Sequence, residues 1–199
     1  MAPLIRYFSL FIILAAACDA ASAAERIYLS GKGPSDAVEW DFYCSDGRLS
    51  GEWTTIPVPS NWEQHGFGTY NYGHDAPDEK GAETGTYRTT FTVPEAWKDK
   101  HVRVVFEGAM TETSIEVNGQ SVGAPNLGGF QVFRYTLNDE VLKYGEENTL
   151  EVLVKKRPGN DSLDRAERSA DYWVFGGIYR PVYLEVQPRA VVHRVALAA

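Results

Sequence analysis

Apolar and polar residues alternate along most of the chain with a period of two. This period places every second side chain on the same face of an extended strand, and it is typical of strands that bury one face. Glycine and proline residues interrupt the alternating segments at short intervals. The clearest of these segments are residues 87–93, 102–106, 115–117, 150–154 and 182–186. Short strands separated by turns predict an all-β sandwich or barrel.

One turn in this pattern is specified by its residues. Asn118-Gly119 stands between the alternating segments 115–117 and 121–122. A two-residue type I′ turn needs a positive φ at both of its central positions, and Asn-Gly meets this need at low cost. We therefore expect a β-hairpin centred on these two residues.

Helical signals are scarce. Asn138 is a candidate N-cap for residues 138–145, where two acidic residues would lie in the first turn. Residues 162–170 also predict one or two helical turns. The expected fold is therefore all-β, with at most one or two short helices.

The N-terminal residues have the features of a secretory signal peptide. A short basic start is followed by the apolar run Tyr7–Cys18 and by Ala21–Ala23, which fits an A-x-A cleavage site. The apolar run is shorter than the ~20 residues of a membrane-spanning helix. We expect export to the periplasm or the extracellular space. The alternative is a lipid anchor on Cys18, although Ala15 stands where lipoprotein signals usually have leucine.

Charge and cysteine content restrict the partners and the sources of stability. The net charge of −8 at pH 7 disfavours nucleic acid and anionic membrane surfaces. Once the signal peptide is removed, Cys44 is the only cysteine, so no intrachain disulfide can form. It lies in an apparent strand and is expected to be a buried, inert thiol. Stability must therefore come from the core.

Two long segments without strand periodicity, residues 59–83 and 158–177, are rich in aromatic residues. Long loops in a compact domain are often functional. In the first loop, Trp62 is expected to anchor the loop to the sandwich. Tyr70 and Tyr72 are candidates for stacking on the apolar face of a sugar ring.

In the second loop, the stretch "RSADYWVFGGIYR" combines an acid, aromatic residues and a glycine pair. We interpret Gly176–Arg180 as a turn and an anchor for the last strand. Asp171 and Trp173 are the candidates for sugar binding, because a carboxylate accepts hydrogen bonds from hydroxyls and an indole stacks on a sugar ring.

Other chemistries have weaker support. The acidic segment 73–84 allows either a calcium site or a solvated loop, and its spacing does not match an EF-hand. The histidines are scattered, and no nucleophile motif is present. We therefore predict no metal, no cofactor and no catalytic residue in this chain.

Several segments, in this order, carry a family resemblance. They are "EWDF", "IPVPSNWEQHGFGTYNYG", "TGTYRTTFTVPEAWKDKHVRVVFEGAMTETSIEVNGQSVG", "GGFQVFRYTL", "GEENTLEVLV" and "DYWVFGGIYRPVYLEV". Over residues 38–188 the chain resembles the N-terminal sugar-binding domain of glycoside hydrolase family 2, the family of β-galactosidases, β-glucuronidases and β-mannosidases. The resemblance implies a jelly-roll β-sandwich of the galactose-binding type.

The resemblance also implies a domain organisation. We expect a signal peptide at residues 1–23 and the sugar-binding domain at residues 24–187. Residues 188–199 would be a linker and the truncated first strand of an immunoglobulin-like domain. Enzymes of this family continue into that domain and then into a barrel, which carries the acid/base and nucleophile glutamates. A barrel takes ~250 residues, so this chain is expected to be inactive alone.

By the same resemblance, two acidic residues approach the substrate pocket of the barrel. Asp171 matches the acid of the family segment D-x-x-x-x-[AGS]-G-[IV]-x-R. Ala82 and Glu83 stand just ahead of Thr84, where some β-galactosidases have an asparagine, and this departure leaves the sugar open. We expect the sugar-binding domain of an exported, retaining enzyme that hydrolyses O-glycosyl bonds. The alternatives are a free-standing secreted carbohydrate-binding module and a structural sandwich.

Overall fold

The computed structural model of the protein describes residues 25–188. The predicted signal peptide and the predicted strand after Pro188 lie outside the described residues. Within that range the strands are β1 (Glu25–Tyr28), β2 (Val38–Cys44), β3 (Trp53–Val58), β4 (Asn71–Tyr72), β5 (Thr84–Thr92), β6 (His101–Phe106), β7 (Glu112–Val117), β8 (Gln120–Ser121), β9 (Asn126–Leu127), β10 (Phe133–Leu137), β11 (Glu147–Lys155), β12 (Trp173–Val174) and β13 (Val182–Gln187).

These strands form a β-sandwich, which confirms the predicted fold class. One sheet has the strand order β1-β13-β6-β10, and the other has β3-β2-β5-β11-β7-β8, with β9 also paired to β7. All of the paired strands are antiparallel. Strands β4 and β12 form a separate two-stranded ribbon.

The core lies between the two large sheets and consists of the apolar residues that alternate in the sequence. Phe42 and Tyr87 pack from the larger sheet, with ring centroids 4.8 Å apart. Phe106 and Phe133 stack in the smaller sheet at 5.1 Å. Burial of large aromatic side chains contributes most of the hydrophobic stabilisation in such a core.

The predicted hairpin is present. Val117 on β7 pairs with Gln120 on β8, and the two residues between them have φ values of 52° and 74°. The side chain of Asn118 also accepts a hydrogen bond from Thr149 N at 3.0 Å. The turn therefore ties the hairpin to β11 as well as reversing the chain.

One of the two predicted helices forms. Helix α1 (Asp161–Arg168) begins after Asn160, whose side chain accepts hydrogen bonds from Ser162 N and Leu163 N at 3.0 Å. Short 3₁₀ turns cover Pro34–Asp36, Trp62–His65 and Glu95–Trp97.

The helix predicted at residues 138–145 is wrong. Asn138 O accepts from the backbone N–H groups of residues 141 and 142, and the segment forms only a turn. The buried side chain of Asn148 explains this, because it accepts from Lys143 N and donates to Lys143 O, both at 2.8 Å. These two bonds occupy backbone groups that a helix would need.

Candidate functional site

The candidate site is built on the ribbon of β4 and β12, which joins the two long aromatic loops. Trp173 pairs with Tyr72, and Val174 pairs with Asn71. The side chain of Asn71 is buried and donates to Glu79 O at 2.8 Å, which holds the first loop against the ribbon. We call the ribbon together with Tyr70 and Asp171 the aromatic ribbon.

Two tyrosine rings of the aromatic ribbon contact one exposed indole, that of Trp173. The side chain of Trp173 is 55% exposed and that of Tyr70 is 46% exposed. Their ring centroids are 5.9 Å apart, and the centroid of the Tyr72 ring lies 5.4 Å from that of Trp173. Both contacts are edge-to-face, a favourable aromatic geometry. The tyrosines therefore orient Trp173 without removing it from solvent.

The carboxylate of Asp171 lies beside Tyr72 in the aromatic ribbon. The Tyr72 hydroxyl donates a short hydrogen bond to Asp171 Oδ1. This bond raises the pKa of Tyr72, because the carboxylate stabilises the protonated phenol. Both side chains are accessible to solvent, so the carboxylate can also accept from another hydroxyl.

The structure places Glu83 inside the protein and away from this surface. Its side chain is 1% exposed and lies 3.0 Å from Lys156 Nζ. Glu83 Oε1 also accepts from Thr69 N at 2.8 Å. The reason is visible in the alternation, because residue 83 shares its face with the buried Gly85 and Tyr87 of β5. The substrate contact expected at Glu83 from the family resemblance stays a prediction, and within this domain the side chain forms a buried ion pair.

A buried cation at Lys156 organises the base of the aromatic ribbon. Its side chain is fully buried, and Nζ lies 2.8 Å from Glu63 Oε1 as well as 3.0 Å from Glu83 Oε1. It also donates to Thr69 O at 2.5 Å. Both oxygens of Glu63 accept from Gly176 N at 3.0 Å. The ammonium group therefore links the end of β11 to the first long loop, and Glu63 links that loop to Gly176 in the second.

Arg168, at the end of α1, completes this group, which we call the Lys156 cluster (Lys156, Glu63, Glu83 and Arg168). Its Nε donates to Lys156 O at 3.0 Å, and its Nη2 donates to Phe175 O. Burial lowers the pKa of Arg168, and the nearby Glu63 carboxylate opposes this effect. Burial raises the pKa of Glu63, while the Lys156 ammonium opposes this. Two cations and two carboxylates thus balance in charge within a region shielded from water.

Sequence reasoning missed the Lys156 cluster, although the alternation contained a signal for it. Leu150, Val152 and Val154 face the core, and Lys156 is the next residue of the same parity. A charged residue on the core-facing side of a strand requires a buried partner. The period of two could therefore have identified Lys156, but not the two glutamates that pair with it.

The anchor predicted for Trp62 is confirmed. Its side chain is fully buried, and the ring lies against Gly176. A Cβ at residue 176 would lie 2.0 Å from Trp62 Cζ2, so only glycine fits there. Gly177 has a φ of 120°, which suits the turn predicted into the last strand.

A further side chain at the site, Arg48, was not predicted. Its guanidinium carbon lies 4.6 Å from the centroid of the Tyr70 ring, an ordinary cation–π distance. Arg48 Nε donates to Gly68 O at 3.0 Å, and Nη2 donates to Phe67 O at 3.2 Å. Arg48 therefore contacts Tyr70, whereas Asp171 contacts Tyr72, and Trp173 contacts both tyrosines.

The acidic part of the first loop is held by its own backbone. Asp75 Oδ2 accepts from Tyr72 N at 2.6 Å, and Glu79 Oε2 accepts from Ala76 N at 3.1 Å. Among residues 25–188, no group of three or more histidine, cysteine or acidic side chains is arranged to hold a metal ion. Across the same residues, no helix is long and apolar enough to cross a membrane.

Comparison with known proteins identifies relatives of this fold and sequence. The family model for the sugar-binding domain of glycosyl hydrolases family 2 matches residues 34–188. A β-galactosidase from Thermoanaerobacter pseudethanolicus is 40% identical over 101 residues, which are 50% of this chain and 13% of the relative. A β-galactosidase from Pseudoalteromonas haloplanktis is 29% identical over 74% of this chain and 14% of the relative.

A solved structure agrees with this assignment. Bacteroides uniformis β-glucuronidase 2, bound covalently to a cyclophellitol-6-carboxylate aziridine, matches with a TM-score of 0.60 and 26% identity. The match covers 83% of this chain and 18% of that enzyme. The chain therefore spans less than a fifth of the length of these relatives. The family match covers most of the described β-sandwich, and the chain belongs to glycosyl hydrolases family 2 as its sugar-binding domain.

Proposed function

We propose that this chain is the sugar-binding part of an exported family 2 glycoside hydrolase, in which the aromatic ribbon forms one wall of the substrate pocket. The exposed Trp173 is the observation that carries the proposal. An exposed indole that two tyrosines contact offers an apolar surface for the C–H face of a sugar ring.

The polar partner of that surface is Asp171. A pyranose bound against Trp173 would present hydroxyls at its edge, and a carboxylate oxygen accepts from such groups. Tyr72 holds one oxygen of Asp171 by hydrogen bond, which restricts the side chain before a sugar arrives. Restriction of this kind reduces the entropy lost on binding.

The bond-breaking step of the proposed enzyme takes place outside this domain. Retaining glycosidases use two carboxyl groups ~5–5.5 Å apart, one as acid/base and one as nucleophile. The family resemblance places both in the barrel of the full enzyme. The role of this domain is then to hold the sugar chain, and the reaction is double-displacement hydrolysis of an O-glycosyl bond.

Titration calorimetry of the purified chain against β-linked galacto- and glucurono-oligosaccharides tests the proposal. We expect Trp173→Ala and Asp171→Ala each to weaken binding about tenfold, equal to ~1.4 kcal/mol. Trp53→Ala is the matched control, because Trp53 is 46% exposed but lies on β3, outside the aromatic ribbon. Equal weakening by all three variants would contradict a site at the aromatic ribbon.

The same titration separates the proposal from a free-standing carbohydrate-binding module. A free-standing module binds its sugar alone with full affinity. A domain that supplies one wall of a pocket gains affinity when the barrel domain of a family enzyme is added in trans. An unchanged affinity after this addition would favour the free-standing module.

A further inference from the structure

Arg48 is a cation beside the aromatic ribbon, and no acidic residue of the described range pairs with it. The ion pairs between described residues do not include it. Its Nε and Nη2 atoms donate to backbone oxygens of residues 63, 67 and 68, and no described residue accepts from Nη1. The guanidinium therefore has no acidic partner among the described residues and has donors that none of them uses, beside the Tyr70 ring of a chain whose net charge is −8.

Arg88 provides an internal comparison. Its guanidinium also lies over an exposed aromatic ring, 4.2 Å from the centroid of Trp53. Arg88 Nε, however, lies 2.5 Å from Glu151 Oε2, so its charge is compensated. The two arginines lie at comparable distances from an aromatic ring, but of the two only Arg48 has no acidic partner among the described residues.

Arg48 lies close enough to Trp173 to contact the same oligosaccharide. Tyr70 contacts both of them, because its ring centroid lies 4.6 Å from the guanidinium carbon and 5.9 Å from the centroid of the indole. Each distance is comparable with the width of one pyranose ring. A ligand of two or more sugars that stacks on Trp173 can therefore reach Arg48. Guanidinium groups bind carboxylate and sulfate oxygens in a bidentate geometry that a neutral hydroxyl cannot reproduce.

We propose that Arg48 is a specificity-determining residue that recognises an anionic substituent, a carboxylate or a sulfate group, on an oligosaccharide bound along the aromatic ribbon. This inference rests on the proposed sugar-binding function. Because Asp171 contacts Tyr72 and Arg48 contacts Tyr70, the two charges also fix the orientation of a bound oligosaccharide. Asp171 accepts from neutral hydroxyls and repels anions, so the anionic substituent lies at the Tyr70 end.

Calorimetric titration with three matched trisaccharides tests the proposal: a β-galactotriose, a trigalacturonic acid and a sulfated galactotriose. We expect the chain to bind at least one acidic trisaccharide about tenfold more tightly than the neutral one, in line with a charge-assisted hydrogen bond. Arg48→Gln removes this difference, and Arg48→Lys restores part of it. Arg88→Gln is the matched control and leaves the preference unchanged. The preference also falls as salt rises from 50 to 500 mM.

The outcomes separate the anion-binding role of Arg48 from sugar binding at the aromatic ribbon. Equal affinity for all three sugars, unchanged by Arg48→Gln, would overturn the role of Arg48 and leave sugar binding at the ribbon intact. Preference for only one acidic sugar identifies the anion as carboxylate or sulfate and supports the proposal. If acidic sugars bind better but Arg88→Gln removes the preference, the anion site lies on the sheet face and the proposal is wrong. Failure of every sugar to bind, both alone and with the barrel domain of a family enzyme added in trans, would overturn both this inference and the proposed function.

Discussion

Removal of the Lys156 ammonium is expected to destabilise the domain more than any surface change. In Lys156→Met, two buried carboxylates lose the cation that lies 2.8 and 3.0 Å from them, and Thr69 O loses its donor. Breaking one buried ion pair costs about 3–5 kcal/mol, because the remaining charge stays buried without a partner. Since one cation here serves two carboxylates, we expect a loss of about 5 kcal/mol, a large share of the 5–15 kcal/mol of an ordinary domain.

Equilibrium unfolding in urea, followed by tryptophan fluorescence, measures this loss. A double variant, Lys156→Met with Glu83→Gln, removes one charge of each sign and leaves Arg168 with Glu63, so it should recover part of the stability. Arg88→Met is the control, because its ion pair with Glu151 is exposed and such pairs contribute about 0–1 kcal/mol.

The pH dependence provides a second check on the same variant. Burial raises the pKa of Glu63 above its unfolded value, so the folded state binds the proton more tightly and loses stability as pH rises. Without Lys156 this effect grows, and the deficit of Lys156→Met should be smaller at pH 5 than at pH 8. A loss of about 1 kcal/mol or less at pH 8, with an unchanged slope in urea, would refute the account of the Lys156 cluster.

Three further predictions follow from close packing, burial and domain content. Gly176→Ala should lower the free energy of unfolding in urea by about 3 kcal/mol, because the added Cβ would lie 2.0 Å from Trp62 Cζ2. Gly33→Ala is the control and should cost almost nothing, because a Cβ there meets no atom within 4 Å. Equal costs for the two variants would contradict the packing argument. Burial raises the pKa of the Cys44 thiol, so the native chain should react with a thiol reagent far more slowly than the urea-unfolded chain. Because the folded state holds this proton more tightly, part of the stability should be lost as pH rises above 9, and Cys44→Ala should remove that loss. Finally, the chain should release no nitrophenol above the blank from a panel of nitrophenyl glycosides; turnover that disappears on changing one carboxylate would show a catalytic site in this domain.

Much of the fold follows from the alternation of residues. Inward positions such as Val152 and Leu184 are fully buried, and the Asn118-Gly119 hairpin forms where its turn chemistry requires it. The failed helix at residues 138–145 shows the limit of local signals. A side chain from a neighbouring strand, Asn148, bonds its backbone, and such a contact cannot be read from capping residues alone.

The candidate site is less visible from the sequence, because its parts are far apart in the chain. Tyr72 and Asp171 are 99 positions apart and meet only through the pairing of β4 with β12. Residue type suggested that each contacts sugar, but not that they contact each other. Arg48 was missed because an arginine in a surface loop is ordinary, and only its position over Tyr70 distinguishes it.

The indole N–H resonances of the isotopically labelled chain test the central claim most directly. On titration with a β-linked oligosaccharide, we predict a saturable shift of the Trp173 resonance and no shift of the Trp53 resonance. Trp53 is the internal control, because it lies on β3, outside the aromatic ribbon, and is 46% exposed against 55% for Trp173. Trp173→Phe should remove the shifting signal and identify it. A saturable shift confined to Trp53, or no shift of Trp173 at sugar concentrations that saturate binding by calorimetry, would contradict a sugar site on the aromatic ribbon.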